Sequence, residues 1–301
     1  MIDPELAAAL AAVELRLGQL AGRLDQVAVK VDEIRQLVGP FGVRLSEGRL
    51  LVQSLHGQKY LVEPDDLIIT PQLVVYRQWE ADLSAFVSRT LGPDSVFVDV
   101  GANFGYFTCL AGSRVGRGGR GRVVAIEPNP AMLALLEANV TINWSMADIE
   151  ILRLAAGATD GQAQLAIPRQ RAANASLSVD APSAVERDLV EVAVRPLDAL
   201  LPAGEPVHVL KIDVEGHETA VIEGARQTIA RSPDILVVME WSLSQMQEAG
   251  YEPAALLRLL RELGLSAFAL SGDGSVGSPL ADAQLLTLGY GTLVLRRAVS
   301  S

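Results

Sequence analysis

The sequence predicts a doubly wound α/β fold: a mainly parallel, seven-stranded sheet with flanking helices, preceded by a β-hairpin region and an N-terminal coiled-coil helix. Three observations lead there. From residue 95 onward, short apolar runs alternate with stretches of helical periodicity, the pattern of parallel strands covered on both faces by crossover helices. The first of these runs ends in an acid and a glycine-rich turn, DVGANFG. Upstream, apolar residues recur at heptad spacing through the first 38 residues, as on a helix that seeks a helical partner.

Taken in order, Leu6, Leu10, Val13, Leu17, Leu20, Leu24, Val27, Val31, Ile34 and Val38 are spaced alternately four and three apart, with no proline between Leu6 and Pro40. Such a narrow seam specifies knobs-into-holes packing. With Leu10 at position a, the d positions include Val13, Val27 and Ile34; branched residues there disfavour a parallel dimer and point to a trimer or higher state. Gly18 and Gly22 lower the local helix propensity. Residues 1–39 are therefore expected to be a homo-oligomerisation helix, with packing onto the chain's own domain as the alternative. Residues 40–92 form a lead-in. RLLVQSLHGQKYLVEP carries two β-like runs around His56–Gly57, the mark of a hairpin. LIITPQLVVY reads as a second extended segment, and 79–91 as a helix with Trp79, Leu83, Phe86 and Val87 on one side.

The α/β domain is expected over residues 93–301. Its strands are read at 95–100, 122–126, 149–154, 207–212 and 235–240, closed by 265–270 and 291–296; helices are read at 104–113, 131–139, 218–230 and 253–263.

Composition narrows the function. The formal net charge is −11, from 36 acidic and 25 basic residues, which disfavours a nucleic-acid partner. The densest basic stretch, Arg114, Arg117, Arg120 and Arg122, is interleaved with glycines and holds no aromatic residue, so it reads as a solvated loop. The single cysteine, Cys109, lies in an apolar run and reads as a buried hydrophobe in a reducing compartment. No apolar stretch nears the roughly 20 residues of a membrane span, and MIDPELAAAL has acids where a secretory signal is basic. A cytoplasmic location is expected.

In VFVDVGANFGYFTCLA a strand ends at Asp99 and Gly101, Ala102, Asn103, Phe104 and Gly105 precede a helix. Glycines here allow tight turning and close ligand approach. The next strand, RVVAIEP, ends at Glu127, whose carboxylate can accept bonds from a ribose diol at the strand-one loop. The full dinucleotide fingerprint and the P-loop are both missing, which argues against a dinucleotide.

These segments, with GRVVAIEPNPAMLALLEANVTIN, RPLDALLP, VLKIDVEGHETAVIEGA and ILVVMEW, resemble the FkbM family of class I methyltransferases over about residues 95–241. The ordered set DVGAN, EPNP and KIDVEGHE is specific. The resemblance implies a Rossmann-like class I methyltransferase fold and S-adenosylmethionine-dependent O-methylation of sugars, polysaccharides or polyketide products. It places Asp99, Gly101 and Ala102 by the amino-acid and sulfur portion of the cofactor, with Asn103 and Gly105 continuing the loop. Glu127 takes the ribose hydroxyls and Asn129 shapes that pocket. Ala155 and Ala156 lie by the adenine edge, where Asp148 is a further candidate.

On the reacting side, LKIDVEGHE sets Lys211, Asp213, Glu215, Gly216, His217 and Glu218 at the carboxyl end of a strand, the edge at which open α/β sheets bind ligands. Methyl transfer from a sulfonium needs chiefly alignment of acceptor oxygen, carbon and sulfur, plus removal of the hydroxyl proton. His217, with its pKa nearest neutrality, is the first candidate base; Asp213, Glu215 and Glu240 are the others. Trp241 is a candidate wall for a sugar, and His56 and His208 read as structural. Mg²⁺ held by Asp213, Glu240 and another oxygen donor is an alternative that no compact metal motif supports; zinc lacks ligand spacing. Residues 167–188, rich in small and polar residues, are a connector or a lid in which Asn174, Ser176, Arg169 or Arg171 meets the acceptor. The leading function is O-methylation of a sugar or glycan-like acceptor; the alternatives are a non-sugar metabolite as acceptor and an inactive cofactor-binding scaffold.

Overall fold

The computed structural model describes residues 4–37, 42–45, 48–116, 120–145, 147–168, 175–177 and 187–297, and, within the first span, the side chains of residues 10–31. The chain divides into two compact units, Met1–Phe41 and Gly42–Ser301. The first unit holds one helix, α1 (Pro4–Leu37), about 50 Å long at 1.5 Å per residue. Its heptad residues from Leu10 to Val31 are between 41% and 66% exposed, so the described part of the stripe is open to solvent in the single chain. Leu6, Ile34 and Val38 lie outside the described side chains.

The second unit begins with an antiparallel meander of β1 (Gly42–Arg44), β2 (Leu50–Gln53) and β3 (Lys59–Val62). The expected hairpin is the β2–β3 pair, closed where Ser54 N–H donates to the Gln58 carbonyl at 2.8 Å. The extended segment expected next is instead a helix, α2 (Ile69–Val75). Asp66 decides this. Its carboxylate accepts from the N–H groups of Ile68 and Thr70, and Thr70 Oγ1 donates back to the Glu63 carbonyl, so the first-turn amides find an acceptor despite the β-branched run. α3 (Ala81–Thr90) buries Leu83, Phe86 and Val87 as expected.

The remaining elements are β4 (Val96–Val100), α4 (Tyr106–Gly112), β5 (Arg122–Ile126), α5 (Pro130–Asn143), β6 (Asp148–Leu152), β7 (Ala155–Ala156), β8 (Gly161–Pro168), β9 (Arg187–Arg195), α6 (Leu197–Leu200) and β10 (Val209–Ile212). There follow α7 (Glu218–Glu223), α8 (Arg226–Arg231), β11 (Leu236–Ser242), α9 (Leu243–Glu248), α10 (Pro253–Glu262), β12 (Leu265–Leu270), β13 (Val276–Pro279), α11 (Asp282–Leu285) and β14 (Tyr290–Arg297). Among the described residues the main sheet has eight strands in the order β13-β12-β14-β11-β10-β4-β5-β6. All seven expected strands are there; the eighth, β13, folds back antiparallel on β12 at the edge. The expected 218–230 helix is two helices, because the Asp198 carboxylate accepts from Gln227 and Thr228 N–H and starts a fresh turn at α8. Of the connector or lid expected at 167–188, residues 167–168 and 187–188 end the antiparallel β8–β9 ladder, which runs from Gly161 opposite Val194 to Pro168 opposite Arg187, and 169–174 and 178–186 lie outside the described residues. Arg169, Arg171 and Asn174 lie outside the described residues.

Strands β11, β10, β4, β5 and β6 run parallel. β4 is buried along its whole length, and Val96, Val98 and Val100 pack into one apolar cluster while Phe97 packs into another. Burial on both faces is why the strand reads as an unbroken apolar run. β5 and β6 lie to one side of β4, and β10 and β11 to the other. The winding reverses between β4 and β10, which leaves a crevice at their carboxyl ends.

The meander is fixed to this sheet by two amides of α5. Asn139 Oδ1 accepts from Leu61 N–H at 2.6 Å, and its Nδ2 donates to the carbonyls of Leu61 and Phe104 at 3.1 and 2.8 Å. One helical turn on, Asn143 accepts from Lys59 N–H at 2.8 Å and donates to the Lys59 carbonyl at 2.7 Å. The two side chains serve as rungs that satisfy the outer edge of β3, which no strand covers among the described residues. Tyr60, fully buried, adds a bond to the Tyr106 carbonyl at 3.0 Å and stacks on the Tyr106 ring at 5.1 Å.

Candidate active site

A cavity of about 230 Å³ opens at the crevice. Its lining runs from Glu127 and Asn129, beyond β5, to Glu240 and Tyr290, at β11 and β14. By the sheet order, these are opposite ends of one cleft.

At the β5 end, Gly101, Ala102 and Asn103 line the floor. Gly101 has φ +75°, and a Cβ there would stand 1.8 Å from the Asp213 carbonyl oxygen. The neighbouring loop, more than ligand approach, is what forbids a side chain. Glu127 is 6% exposed; its Oε2 accepts from Asn103 N–H at 2.7 Å and its Oε1 from Asn129 N–H at 2.8 Å. Burial pushes its carboxyl up to about 7 against the pull of those two donors. Asn129 caps α5 by accepting from Ala131 N–H at 3.0 Å. Ala155, Ala156, Leu165 and Leu177 supply a smooth apolar wall.

Three residues expected at the cofactor do not line this cavity. Asp99 is completely buried beneath the floor, accepting from Thr108 Oγ1 at 2.7 Å and pairing with Lys211 Nζ at 3.3 Å. It braces the floor and does not line the cavity. Gly105 begins α4, and a Cβ there would meet Leu136 Cδ1 at 2.5 Å, so its smallness serves packing against α5. Asp148 opens β6 opposite Arg122, the first residue of β5, at the amino-terminal edge of the sheet and away from the crevice.

At the other end, Lys211 and Asp99 are cross-strand neighbours on β10 and β4. Lys211 Nζ lies 3.3 Å from both Asp99 and Asp213, and 5.4 Å from the Phe107 ring centroid. Burial works against its charge, but Asp213, Asp99 and Glu80 outweigh it and hold the ammonium above its usual value. Asp213 therefore faces the cavity with a fixed cation at its side. Glu215, at φ +53°, accepts from Gln245 Nε2. Glu218, fully buried, accepts from the N–H groups of Val214 and Gly216 at 3.3 and 3.2 Å and so shapes this loop. His217 lines the cavity edge-on to Tyr251, and burial lowers its pKa to about 4. Glu240 Oε1 accepts from Tyr290 Oη at 2.7 Å; burial first, then Asp213, pushes its carboxyl up to about 9.

Trp241, expected as a wall, is 0% exposed and donates Nε1–H to the Leu288 carbonyl at 3.0 Å; alternation along β11 turns it into the core while Glu240 faces out. Its place is taken by Trp79, with Glu80 and Tyr290, which sequence reading missed as site residues. Glu80 sits at φ +42° ahead of α3, and burial and then Asp213 push its carboxyl up to about 7. The one available signal was a Trp-Glu pair at a helix start. His208 is structural, its Nδ1 accepting from Val96 N–H at 3.0 Å. Cys109 is buried and free, its thiol pushed up to about 12 by burial. Ser176 Oγ donates to the Glu215 carbonyl at 3.1 Å, and its neighbours Ala175 and Leu177 line the cavity. Among the described residues no group of three His, Cys, Asp or Glu is arranged to hold a metal ion; Asp213 is turned to Lys211 and Glu240 to Tyr290. No described helix is long and apolar enough to cross a membrane.

Comparison with known proteins follows this geometry. The family profile of the methyltransferase FkbM domain matches residues 99–266, more than half of the chain. Hexuronic acid methyltransferase AglP of Haloferax volcanii is 26% identical over 190 residues, 62% of this chain and 70% of that protein. The crystal structure of methyltransferase FkbM from Methylobacillus flagellatus is 15% identical with a TM-score of 0.41, covering 68% of this chain but only 44% of its own. P. horikoshii TYW2, solved in complex with MeSAdo, is 14% identical with a TM-score of 0.45, covering 83% of this chain and 70% of its own. The matched span holds Gly101, Glu127, Asn129, Lys211, Asp213 and Glu240, whereas Trp79, Glu80 and Tyr290 lie outside it. With its α/β sheet, its crevice and this match, the chain belongs to the FkbM methyltransferase family and is a methyltransferase.

Proposed function

We propose that the enzyme moves the methyl group of S-adenosylmethionine to a hydroxyl of a sugar, polysaccharide or glycosylated metabolite in a single displacement. The observation that carries this is the cavity that joins the buried Glu127 to the carboxylates beyond β10 and β11. The residues present fit such a donor. Each Glu127 oxygen accepts one backbone N–H and keeps a further acceptor site for a ribose diol, and the wall from Ala155 to Leu177 suits an adenine face. S-adenosylmethionine, when bound, supplies a methyl group on a sulfonium leaving group. The hexuronic acid methyltransferase among the relatives supports a sugar as acceptor.

Among the candidate bases, Asp213 is best placed to take the hydroxyl proton. His217 has a pKa of about 4 and Glu240 about 9, so near neutrality the first is a weak acceptor and the second keeps its proton. Glu215 is engaged by Gln245. Lys211 steadies Asp213 and Asp99 steadies Lys211. We also propose that residues 1–39 join protomers, as a trimer, through the exposed heptad stripe, and that the protein works in the cytoplasm, in keeping with its free, buried cysteine.

Titration with S-adenosylmethionine, followed by transfer of a labelled methyl group into sugar and non-sugar alcohols, tests the chemistry. No binding removes the donor; label in non-sugar alcohols alone replaces the acceptor. Light scattering of the chain without residues 1–39 tests the assembly, which an unchanged number of protomers per particle would refute.

A further inference from the structure

Beyond the main cavity, Trp79, Glu80 and Tyr290 also line a surface groove that takes in Tyr76, Gln72 and Gln78. The cavity holds about 230 Å³ and the groove about 400 Å³, so more space adjoins the reacting end than lies within it. Tyr76 and Tyr290 are 65% and 62% exposed, and Trp79 is half-buried against the apolar cluster that holds Leu83 and Phe86.

The turn that presents Trp79 is strained and firmly held. Arg77 and Glu80 take left-handed backbone, at φ +58° and +42°, a conformation that non-glycine residues keep only where their surroundings impose it. Here the Arg77 carbonyl accepts from Leu55 N–H at 2.8 Å, and its Nε donates to the Gln53 carbonyl at 3.1 Å. On the other side, the buried Ser84 donates its Oγ–H to the Trp79 carbonyl at 2.6 Å and its N–H to the Glu80 carbonyl at 2.8 Å. The meander and α3 thus hold the turn between them. Strain of this kind gathers at ligand clamps, and this turn sets Trp79 at the border of cavity and groove.

We propose that the groove is a second sugar subsite, so that the acceptor is a chain of two or more sugars: one ring offers its hydroxyl in the cavity while its neighbour lies on Tyr76 and Trp79. The inference rests on the sugar-methylating reading above. Aromatic faces beside side-chain amides suit the C–H faces and hydroxyl edges of a pyranose, since apolar walls with a few placed polar groups fix a ligand's orientation. Tyr290 Oη donates to Glu240 at 2.7 Å, which holds that ring at the edge that cavity and groove share. Binding energy gained away from the reacting atoms is expressed in the transfer step, so kcat/KM is the quantity that responds.

The test uses the full chain with labelled S-adenosylmethionine. The acceptors are methyl glycosides of glucose, galactose, mannose and rhamnose, and disaccharides in which each is extended by a further pyranose at either end. At least one disaccharide should exceed its single sugar about tenfold or more in kcat/KM, the order that one aromatic platform supplies. Tyr76→Ala should narrow that ratio and Tyr76→Trp should keep it; Tyr76 is exposed, and melting curves check that both variants fold. Disaccharides no better than single sugars overturn the proposal and leave the sugar reading intact. A ratio that Tyr76→Ala does not move overturns the assignment to this groove. A change in the number of protomers per particle in that variant makes the groove a contact between copies, which overturns it too. If no sugar takes label although S-adenosylmethionine binds, the sugar reading falls and this inference with it.

Discussion

The two ends of the cavity are built differently. At the β5 end, Glu127, Asn103 and Asn129 follow strand ends of the central sheet, lie within residues 99–266, and are held by one another's backbone amides. At the other end, Glu80, Glu240 and Tyr290 come from three distant parts of the chain, and side chains hold one another there, as Tyr290 holds Glu240. Only Glu240 of these three lies in the matched span. The family match therefore spans the β5 end of the cleft and only part of the other end.

Substitutions can break or sharpen that contrast. Asp213→Asn, where the two ends meet, should lower methyl transfer by about 10²–10⁴-fold, the usual worth of a general base, with donor affinity nearly unchanged. A loss below tenfold in single-turnover assays would move the base elsewhere. Asn139→Leu should cost about 3 kcal/mol of stability in denaturant melts, because it strands backbone groups of Leu61 and Phe104. It should weaken both ends at once, as the amide bridges the meander and the donor loop. Glu127→Gln should weaken S-adenosylmethionine by about tenfold and leave acceptor affinity alone, which calorimetry with each ligand will show. The smallest effect concerns pH. Glu240 sits at about 9 in the fold against an ordinary 4.5, and Glu80, Glu127 and Glu218 at about 7. Raised carboxyls favour the folded state only while protonated, so stability should fall as pH climbs from about 5 through 9. Glu240→Gln should flatten the upper part of that slope, by a few degrees of melting temperature; a melting curve that rises from pH 6 to 9 contradicts the assignment.

What the sequence revealed follows the same division. The strands of the sheet are apolar on both faces and bounded by glycine or acid, so β4 and β5 were legible from periodicity alone. The DVGAN turn and Glu127 are close in sequence to the strands that position them, and both line the cleft or its edge. The misreadings had tertiary causes. Asp66 converts a β-branched stretch to α2, and Asp198 splits a helix from almost thirty residues away. Trp241 and Glu240 are adjacent, and only the pleat of β11 says which one meets the cleft. Asp99 looked like a ligand-facing acid because nothing local showed that Lys211, on the next strand, would claim it. Glu80 and Tyr290 had no motif at all, since their juxtaposition exists only after β14 has inserted beside β11.

The paired amides on α5 have a further consequence for re-engineering. Because Asn139 grips the Leu61 backbone and the Phe104 carbonyl together, the segment that supplies Trp79 and Glu80 is registered against the donor loop by a helix outside it. Grafting residues 42–92 into a related scaffold would therefore keep Trp79 and Glu80 in place beside that loop only where the recipient helix also offers asparagines one turn apart; without them the graft would arrive out of alignment.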